Sequence, residues 1–351
     1  MKVIKNVSLR GVITDITVDD GKIVAIEKCD TDGIDFGGAK IYPGLIDIHS
    51  HGCIGYDTMD GHLEEMADFE LSHGITTWYP TTMTMSADDI IAATGRDISF
   101  GHGATIPGFH MEGPFINSKY KGAQNEAFII PPSKELFDRC KGIKKVTVAP
   151  ETEGALEFIS SCPAVISLGH TDADYDTASR AFEAGARCLT HTYNAMPGIH
   201  HRAPGPIGAA SERDDVYAEL ICDGKHIHKA AVKMLIKLFG YDRVILISDS
   251  MLATGLSDGR YMFGGQPIDV KDGTALTDTG HLAGSTSTLF DCVRVAISFG
   301  ISEEDAVKMA SENPARLMGL NKGKIEVGYD ADFIIVDEGF NLIRAVARGE
   351  L

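Results

Sequence analysis

The sequence Pro43-Gly44-Leu45-Ile46-Asp47-Ile48-His49-Ser50-His51-Gly52 is typical of a buried β-strand that ends in two histidines. Its apolar residues are partly β-branched, and proline and glycine stand at its ends. Because His49 and His51 are two residues apart, both side chains point to the same face of a strand. Two such imidazoles can bind one metal ion through their neutral nitrogens. The alternative is two polar residues at the start of a loop, so further ligands must be sought at later strand ends.

The composition of the 351 residues indicates a large core and an anionic surface. With a hydrophobic content of 44% the chain can bury a large core, and its length predicts one large domain or two smaller ones. A formal net charge of −18 argues against nucleic acid and anionic membranes as partners, although local donors can still bind a small phosphorylated molecule. We expect no transmembrane span and no signal peptide, because no apolar run is long enough. Seven scattered cysteines without a C-x-x-C pair suit a reduced, cytoplasmic protein.

Short alternating strands near both termini predict one discontinuous β domain. Residues 12–27 have the pattern of a hairpin, and residues 332–337 have that of an apolar strand. Because an isolated hairpin is only marginally stable, we expect the two ends of the chain to pair. The predicted domains are a small β-sandwich-like domain of residues 1–42 and 322–351, and a larger domain of residues 43–321.

The middle of the chain alternates apolar strands with amphipathic helical segments. The predicted strands are residues 45–49, 76–81, 106–111, 146–149, 164–168, 188–192, 218–222 and 244–248. Repeated strand-then-helix order with buried strands implies a parallel sheet, and eight such units close a (β/α)8 barrel. We therefore predict an α/β fold with a (β/α)8 TIM-like barrel. An open, doubly wound sheet is the alternative, but it leaves the polar residues after the strands unexplained.

Six side chains that can bind a metal or move a proton follow the predicted strands: His49, His51, Glu112, His170, His191 and Asp249. Any one alone is more simply a hydrogen-bonded structural residue. In a barrel, however, the C-terminal strand ends meet at one mouth, so all six become neighbours. Four imidazoles and two carboxylates suit zinc or another divalent transition metal. The carboxylate at the last strand end, Asp249, is placed to take a proton from water and pass it to a leaving group.

This order of ligands, with β segments from both termini, resembles the amidohydrolase superfamily. The motifs are similar to those of the N-acetylglucosamine-6-phosphate deacetylases at residues 43–52, 110–115, 121–123, 191–196, 222–226, 248–249 and 282–285. They span nearly the whole chain and are specific in combination. The resemblance implies metal-dependent hydrolysis of the acetamide of N-acetylglucosamine 6-phosphate to glucosamine 6-phosphate and acetate. A metal-activated water would attack, with Asp249 as general base and then general acid.

The resemblance also assigns the metal ligands. Glu112, His170 and His191 match the residues that hold the metal common to the family. His49 and His51 are ligands for a second metal in some members, so one or two ions per subunit are expected. Zinc is the expected metal, with iron, manganese and cobalt as alternatives.

The fourth strand departs from a common amidohydrolase pattern. Many members bridge two metals with a carboxylated lysine at the end of this strand, but residues 148–151 contain no lysine. Lys144 and Lys145 lie at the start of the predicted strand instead. The resemblance therefore gives any bridging role to Glu112.

The substrate contacts follow from the same match. Backbone N–H groups of Asn194 and Ala195 are expected to bind the phosphate, together with the guanidinium of Arg202. His226 matches a substrate-contacting histidine, and its contact with sugar, carbonyl or phosphate is left open. The other matched substrate-binding residues are Ala123, Gln124, Leu282, Ala283 and Gly284. A homodimer is expected from the family, and a phosphate ligand can come from the partner subunit.

Three other functions remain to be compared with this one. N-acetylgalactosamine-6-phosphate deacetylation differs by one hydroxyl of the substrate. A ring-opening amidohydrolase is less consistent with the missing fourth-strand lysine and with Arg202 beside Asn194. A non-catalytic phosphosugar-binding protein on the same scaffold could dispense with Asp249 and the metal ligands, yet all of them are present.

Overall fold

The computed structural model describes residues 1–350, in which the strands build four sheets. In chain order the strands are β1 (Lys2–Leu9), β2 (Val12–Asp19), β3 (Lys22–Ile26), β4 (Ile34–Asp35), β5 (Lys40–Pro43), β6 (Leu45–Ser50), β7 (Gly52–Cys53), β8 (Tyr56–Asp57), β9 (Ile75–Thr82), β10 (Phe109–Glu112), β11 (Ile143–Val148), β12 (Val165–Leu168), β13 (Cys188–Leu189), β14 (Tyr217–Ile221), β15 (Val244–Ile247), β16 (Gly259–Phe263), β17 (Gln266–Lys271), β18 (Thr274–Thr277), β19 (Phe333–Val336) and β20 (Leu342–Val346).

Ten α-helices lie in the same residues 1–350, most of them after a barrel strand. They are α1 (Leu63–Ser72), α2 (Ala87–Thr94), α3 (Lys134–Arg139), α4 (Ala155–Ser161), α5 (Tyr175–Ala184), α6 (Gly205–Ser211), α7 (Lys229–Phe239), α8 (Leu289–Ser298), α9 (Glu303–Met309) and α10 (Glu312–Met318). In this part of the chain, no helix combines the length and the apolar character needed to cross a membrane.

Eight strands form the barrel in the order β6, β9, β10, β11, β12, β13, β14 and β15, and neighbouring strands run parallel. The last strand returns beside the first, where the main-chain N–H of Asp249 donates to the carbonyl of His49 at 2.9 Å. All residues of β6 and β9 are buried, as expected for strands covered on both faces. The predicted (β/α)8 TIM-like barrel is confirmed.

Polar side chains occupy part of the barrel interior and satisfy one another. Thr147 Oγ1 lies 2.8 Å from His110 Nε2 and 2.9 Å from Thr190 Oγ1, and the Thr190 hydroxyl donates to Ser167 at 2.6 Å. Buried polar groups are tolerated when they are hydrogen-bonded in this way. The interior below the mouth is thus a connected polar network rather than an apolar core.

Strands from both chain ends build the smaller sheet, in the order β20, β19, β5, β1, β2 and β3, with β4 beside β1. Antiparallel pairing of β5 with β19 joins the two ends. Ile4, Ile16, Phe333 and Ile335 are fully buried in its core. The prediction that the termini form one small β domain is confirmed, while the exact residue bounds given for the two domains stay a prediction.

A third sheet was not predicted. Antiparallel β16, β17 and β18 follow the last barrel strand and precede α8. The ring of Phe263 packs edge-on against His51 with centroids 5.6 Å apart, and Gln266 Nε2 donates to the carbonyl of Ala123 at 2.8 Å. This sheet therefore lies against the mouth of the barrel.

Three barrel strands differ by three residues from a predicted bound. The third begins at Phe109 instead of residue 106. The sixth ends at Leu189 instead of residue 192, because His191 adopts a φ of +28° that a strand cannot contain. The fourth begins at Ile143 instead of residue 146, which places Lys145 inside the strand. Lys145 and Thr147, two residues apart on the fourth strand, therefore both face the barrel interior.

Candidate active site

The structure brings together the six polar side chains that follow the barrel strands. His49 is the second-last residue of β6 and His51 lies just beyond that strand, Glu112 ends β10, and His170, His191 and Asp249 follow β12, β13 and β15. All six are buried, with Asp249 and His170 the most exposed at 8% and 5%. Residues up to 200 positions apart in the sequence therefore surround one point at the mouth.

Backbone turns aim three of these side chains into the site. His170, His191 and Asp249 have φ values of +47°, +28° and +48°, in the left-handed region that non-glycine residues rarely adopt. Each such residue costs roughly 1–3 kcal/mol and persists only where the surrounding structure holds it. Three strained residues at the ends of β12, β13 and β15 are a mark of a functional site.

Carbonyl and carboxylate acceptors select the tautomers of three histidines. His170 Nδ1 lies 2.7 Å from the carbonyl of Tyr120, and His51 Nδ1 lies 3.2 Å from the carbonyl of Thr81. His49 Nδ1 lies 3.1 Å from a carboxylate oxygen of Glu219. Since these acceptors require an N–H at Nδ1, the lone pair of each neutral imidazole is at Nε2.

The Nε2 atoms converge on the carboxylate of Glu112. Its Oε1 lies 3.1 Å from Nε2 of His49, 3.1 Å from that of His191 and 3.3 Å from that of His170. Its Oε2 lies 3.0 Å from His51 Nε2. Two groups therefore share Glu112: one with His49 and His51, the other with His170 and His191.

These donors fit a divalent metal ion. Ligands bound about 2.0–2.2 Å from a four-coordinate ion lie roughly 3.3–3.6 Å apart, close to the separations around Glu112. Among residues 1–350, the buried His49 Nε2 finds no hydrogen-bond partner of good geometry. Nitrogen lone pairs that face carboxylate oxygens attract a cation between them.

The charges around the site also favour a cation. Burial lowers the pKa of His49, but the carboxylates of Glu112 and Asp249 outweigh it and raise that pKa to about 10. Burial would raise the pKa of Glu112, yet the charges of His49 and His170 hold it well below its usual range. Protons and a metal ion therefore compete for the same nitrogens, so acidification should release the ion.

Asp249 and Gln124 complete the polar ring. Asp249 Oδ1 lies 3.4 Å from His49 Nε2 and 3.5 Å from His51 Nε2. Gln124 Nε2 donates to Glu112 Oε2 at 2.7 Å, while its Oε1 accepts from the N–H of Thr84 at 2.7 Å. Gln124 thus orients the shared carboxylate, and the carboxylate of Asp249 faces the histidine pair of the first strand.

A cavity of about 850 Å³ opens above this ring. Of the residues predicted to bind substrate, those that line it are Ala123, Gln124, Asn194, Ala195, His226, Leu282 and Gly284. Ala283 is fully buried behind the lining. Arg202 is not among the lining residues; it is exposed, and its Nη1 lies 2.8 Å from His201 Nε2. His281 and Lys121 line the cavity although the sequence did not single them out as binding residues.

His226 is held by the carboxylate of Asp223. Its Nδ1 lies 2.8 Å from Asp223 Oδ2, and its main-chain N–H donates to Oδ1 at 2.9 Å. Burial lowers the pKa of His226, but this hydrogen bond more than offsets it and raises the pKa above its ordinary value. A rigid imidazole whose Nδ1 is occupied can offer Nε2 to a ligand in the cavity.

Sequence reasoning missed Glu219 and misplaced Lys145. Both side chains are fully buried and form an ion pair inside the barrel, from β14 and β11. Lys145 was placed at the start of its strand, but the earlier strand start turns it inward. The available signal was a glutamate within the apolar strand Tyr217–Ile221. Burial raises the pKa of Glu219, but Lys145 and His49 outweigh it and lower that pKa to about 2.

Comparisons with known proteins agree with this geometry. The profile of the amidohydrolase family matches residues 41–351. An N-acetylglucosamine-6-phosphate deacetylase of Bacillus subtilis is 40% identical over 89% of this chain and 84% of its own length. An N-acetylgalactosamine-6-phosphate deacetylase of Escherichia coli O157:H7 is 33% identical over 96% of this chain and 94% of its own.

A solved structure is similar throughout its length. A mutant of the N-acetyl-D-glucosamine-6-phosphate deacetylase of Mycobacterium smegmatis, in complex with N-acetyl-D-glucosamine-6-phosphate, superposes with a TM-score of 0.92 and 29% identity. The match covers 99% of this chain and 98% of that one. The chain therefore belongs to the amidohydrolase family, among the N-acetylglucosamine-6-phosphate deacetylases.

Proposed function

We propose that this protein hydrolyses the acetamide of N-acetylglucosamine 6-phosphate to glucosamine 6-phosphate and acetate. The observation that carries the proposal is the carboxylate of Glu112, shared by two histidine pairs below a cavity of about 850 Å³. The names of the related deacetylases supply the substrate class. A phosphosugar-binding protein without catalysis would not need this buried, strained ring of ligands.

The family implies a divalent metal, and we propose zinc held by Glu112, His170 and His191. His49 and His51 offer a second position with Glu112 as the shared ligand. When bound, such an ion acts as a Lewis acid that lowers the pKa of water and polarises a carbonyl. Nitrogen and carboxylate ligands suit zinc, while iron, manganese and cobalt use the same donor types.

Asp249 serves as the proton carrier in this proposal. Its carboxylate faces the Nε2 atoms of His49 and His51 and lines the cavity. It accepts a proton from the attacking water, and a C–O bond to the acetyl carbon forms. It then gives that proton to the amide nitrogen as the C–N bond breaks, because an unprotonated nitrogen would have to leave as a strongly basic amide anion.

The sugar and its phosphate occupy the cavity above. His226, fixed by Asp223, is placed to contact the carbonyl oxygen or the sugar. Backbone groups of Asn194 and Ala195 line the same cavity and are proposed to bind the phosphate. Ala123, Leu282 and Gly284 complete the proposed substrate contacts, while Ala283, which was predicted with them, is buried behind the lining.

Arg202 is proposed to act across a homodimer. It matches a phosphate-binding arginine, yet it lies on an exposed loop outside the cavity lining. A second copy of the chain that placed this loop at the cavity would supply the missing guanidinium. A cytoplasmic location is proposed as well, since all seven cysteines are free thiols.

The substrate is tested by comparing acetate release from N-acetylglucosamine 6-phosphate, N-acetylgalactosamine 6-phosphate and unphosphorylated N-acetylglucosamine. We expect kcat/KM to be at least about tenfold higher for the first than for the second, since one misplaced hydroxyl costs about 1–3 kcal/mol. The unphosphorylated sugar should react poorly because the charged phosphate contacts are lost.

A higher kcat/KM with the galactosamine compound would favour the alternative deacetylase, for which the Escherichia coli relative is a precedent. Binding of either phosphosugar with no acetate released by metal-loaded protein would favour the non-catalytic alternative. The Asp249→Asn variant provides the background rate in each assay.

A further inference from the structure

Lys145 and Glu219 form the most deeply buried ion pair near the site. Both side chains are 0% exposed, and they come from β11 and β14, two strands that are not neighbours in the barrel. The pair therefore crosses the barrel interior below the ring of metal-ligand candidates. Burying two charges costs several kcal/mol per ion, and apolar residues of similar size are often equally stable. A contribution to folding alone is thus a weak explanation for this pair.

Glu219 connects two halves of the site through one oxygen. Its Oε2 lies 3.1 Å from His49 Nδ1 and accepts from the main-chain N–H of His191 at 3.1 Å. Its Oε1 is the atom paired with Lys145 Nζ. The opposite side of the His49 ring packs edge-on against His110, with centroids 4.5 Å apart. His49 is therefore fixed in tautomer by Glu219 and in orientation by Glu219 and His110.

We propose that the Lys145–Glu219 pair positions His49 so that its lone pair is at Nε2. In this arrangement His49, His51 and Glu112 can together bind a second divalent ion. Lys145 compensates the carboxylate charge, so that Glu219 can accept hydrogen bonds without a further cation nearby. The proposal rests on the metal-dependent function above and deepens it. Metal binding by Glu112, His170 and His191 depends less on the pair, because the carbonyl of Tyr120 sets the tautomer of His170.

The test uses the double variant Lys145→Met with Glu219→Leu, which removes both charges and both carboxylate oxygens and puts apolar side chains of similar size in their place. Leucine leaves the Nδ1–H of His49 and the main-chain N–H of His191 without the oxygen that accepts from them. We measure zinc content by elemental analysis after dialysis, and cobalt binding by titration of visible absorption. Thermal unfolding reports on stability.

A second buried ion pair provides the matched control. Lys322 and Asp332 form an ion pair in the small β domain, and their side chains are 8% and 2% exposed. Neither residue is near a proposed metal ligand in the sequence. Lys322→Met with Asp332→Leu removes the same two charges and the same kind of acceptor without touching a proposed ligand. A general effect of losing a buried pair should therefore appear equally in this variant.

We expect the Lys145–Glu219 variant to bind the second ion with an affinity about 10- to 100-fold lower. This is the usual effect of losing a hydrogen-bond partner of a ligating histidine. The first ion should change much less, and the control variant should bind both ions like the unaltered protein. Two ions bound with unaltered affinity by the Lys145–Glu219 variant would overturn the proposal, as would unaltered protein that binds only one ion. Neither result would refute deacetylation, which is measured separately as acetate release.

If the double variant does not fold, Glu219→Gln alone, with Lys145 kept, is used with nitrogen NMR of the histidine rings in zinc-loaded protein. The His49 signals are assigned by their loss in His49→Ala. The proposal expects the signal of a metal-bound Nε2 and a protonated Nδ1 for His49 in the unaltered protein, and expects Glu219→Gln to lose that metal-bound signal. An unchanged His49 signal in Glu219→Gln would contradict it.

Discussion

Replacing Asp249 by asparagine should lower kcat by about three to four orders of magnitude, because general base and general acid catalysis are lost together. Asparagine has nearly the same shape but cannot accept and then return a proton. The carboxylate lies 3.4 Å and 3.5 Å from the Nε2 atoms of His49 and His51, so its loss occurs at the reacting centre.

Binding should survive this change, which separates the catalytic role from a structural one. We expect Asp249→Asn to retain at least the ion at Glu112, His170 and His191, and to bind N-acetylglucosamine 6-phosphate with an affinity near that of the unaltered protein. Metal content, calorimetric titration and single-turnover acetate release measure the three properties. A kcat within tenfold of the unaltered protein would refute the assigned proton transfer.

Replacing Glu112 by glutamine should abolish metal binding at both positions. The carboxylate is the only residue common to the two candidate ligand groups in residues 1–350, and its oxygens lie 3.0–3.3 Å from four imidazole nitrogens. A neutral amide removes the negative charge, and its NH2 group directs hydrogens at one set of ligands. We expect less than one ion per subunit after dialysis and acetate release at background.

The matched control is Glu65→Gln on α1, whose side chain is 55% exposed. It makes the same chemical change on the surface and should leave metal content and kcat unaltered. If Glu112→Gln instead kept its zinc and its activity, Glu112 would not be a shared ligand.

The sequence predicted the barrel and its ring of strand-end side chains because both depend on local patterns. Apolar runs followed by His49, Glu112 or Asp249 repeat at regular intervals, and parallel strands place their ends at one mouth. Hydrogen bonding of the termini into one sheet was also predictable, since neither end can bury a face alone.

The residues behind the metal-ligand candidates were harder to predict from the sequence, because their placement depends on where a strand begins. Lys145 was treated as a residue at the start of a strand, while the structure begins that strand at Ile143 and buries the side chain. Its partner Glu219 is 74 positions away, and no local pattern relates the two. The sheet formed by β16, β17 and β18 was missed because its hairpins contribute to the mouth without belonging to the strand–helix repeat.

Arg202 shows the limit of matching motifs to a single chain. The match predicts a phosphate contact, but the structure places the residue on an exposed loop outside the cavity lining. Contacts made between two copies of a chain leave no periodic signal in the sequence. The dimer and its phosphate contact therefore stay a prediction.

The central claim is that a metal ion held by Glu112, His170 and His191 is required for hydrolysis of the acetamide. It is tested most directly by stripping the protein of metal, confirming this by elemental analysis, and measuring single-turnover acetate release from N-acetylglucosamine 6-phosphate as zinc is added back. The account predicts no acetate from stripped protein, and a rate that rises with bound zinc and saturates at one or two equivalents per subunit. Acetate release from stripped protein at the rate of the loaded protein would contradict it.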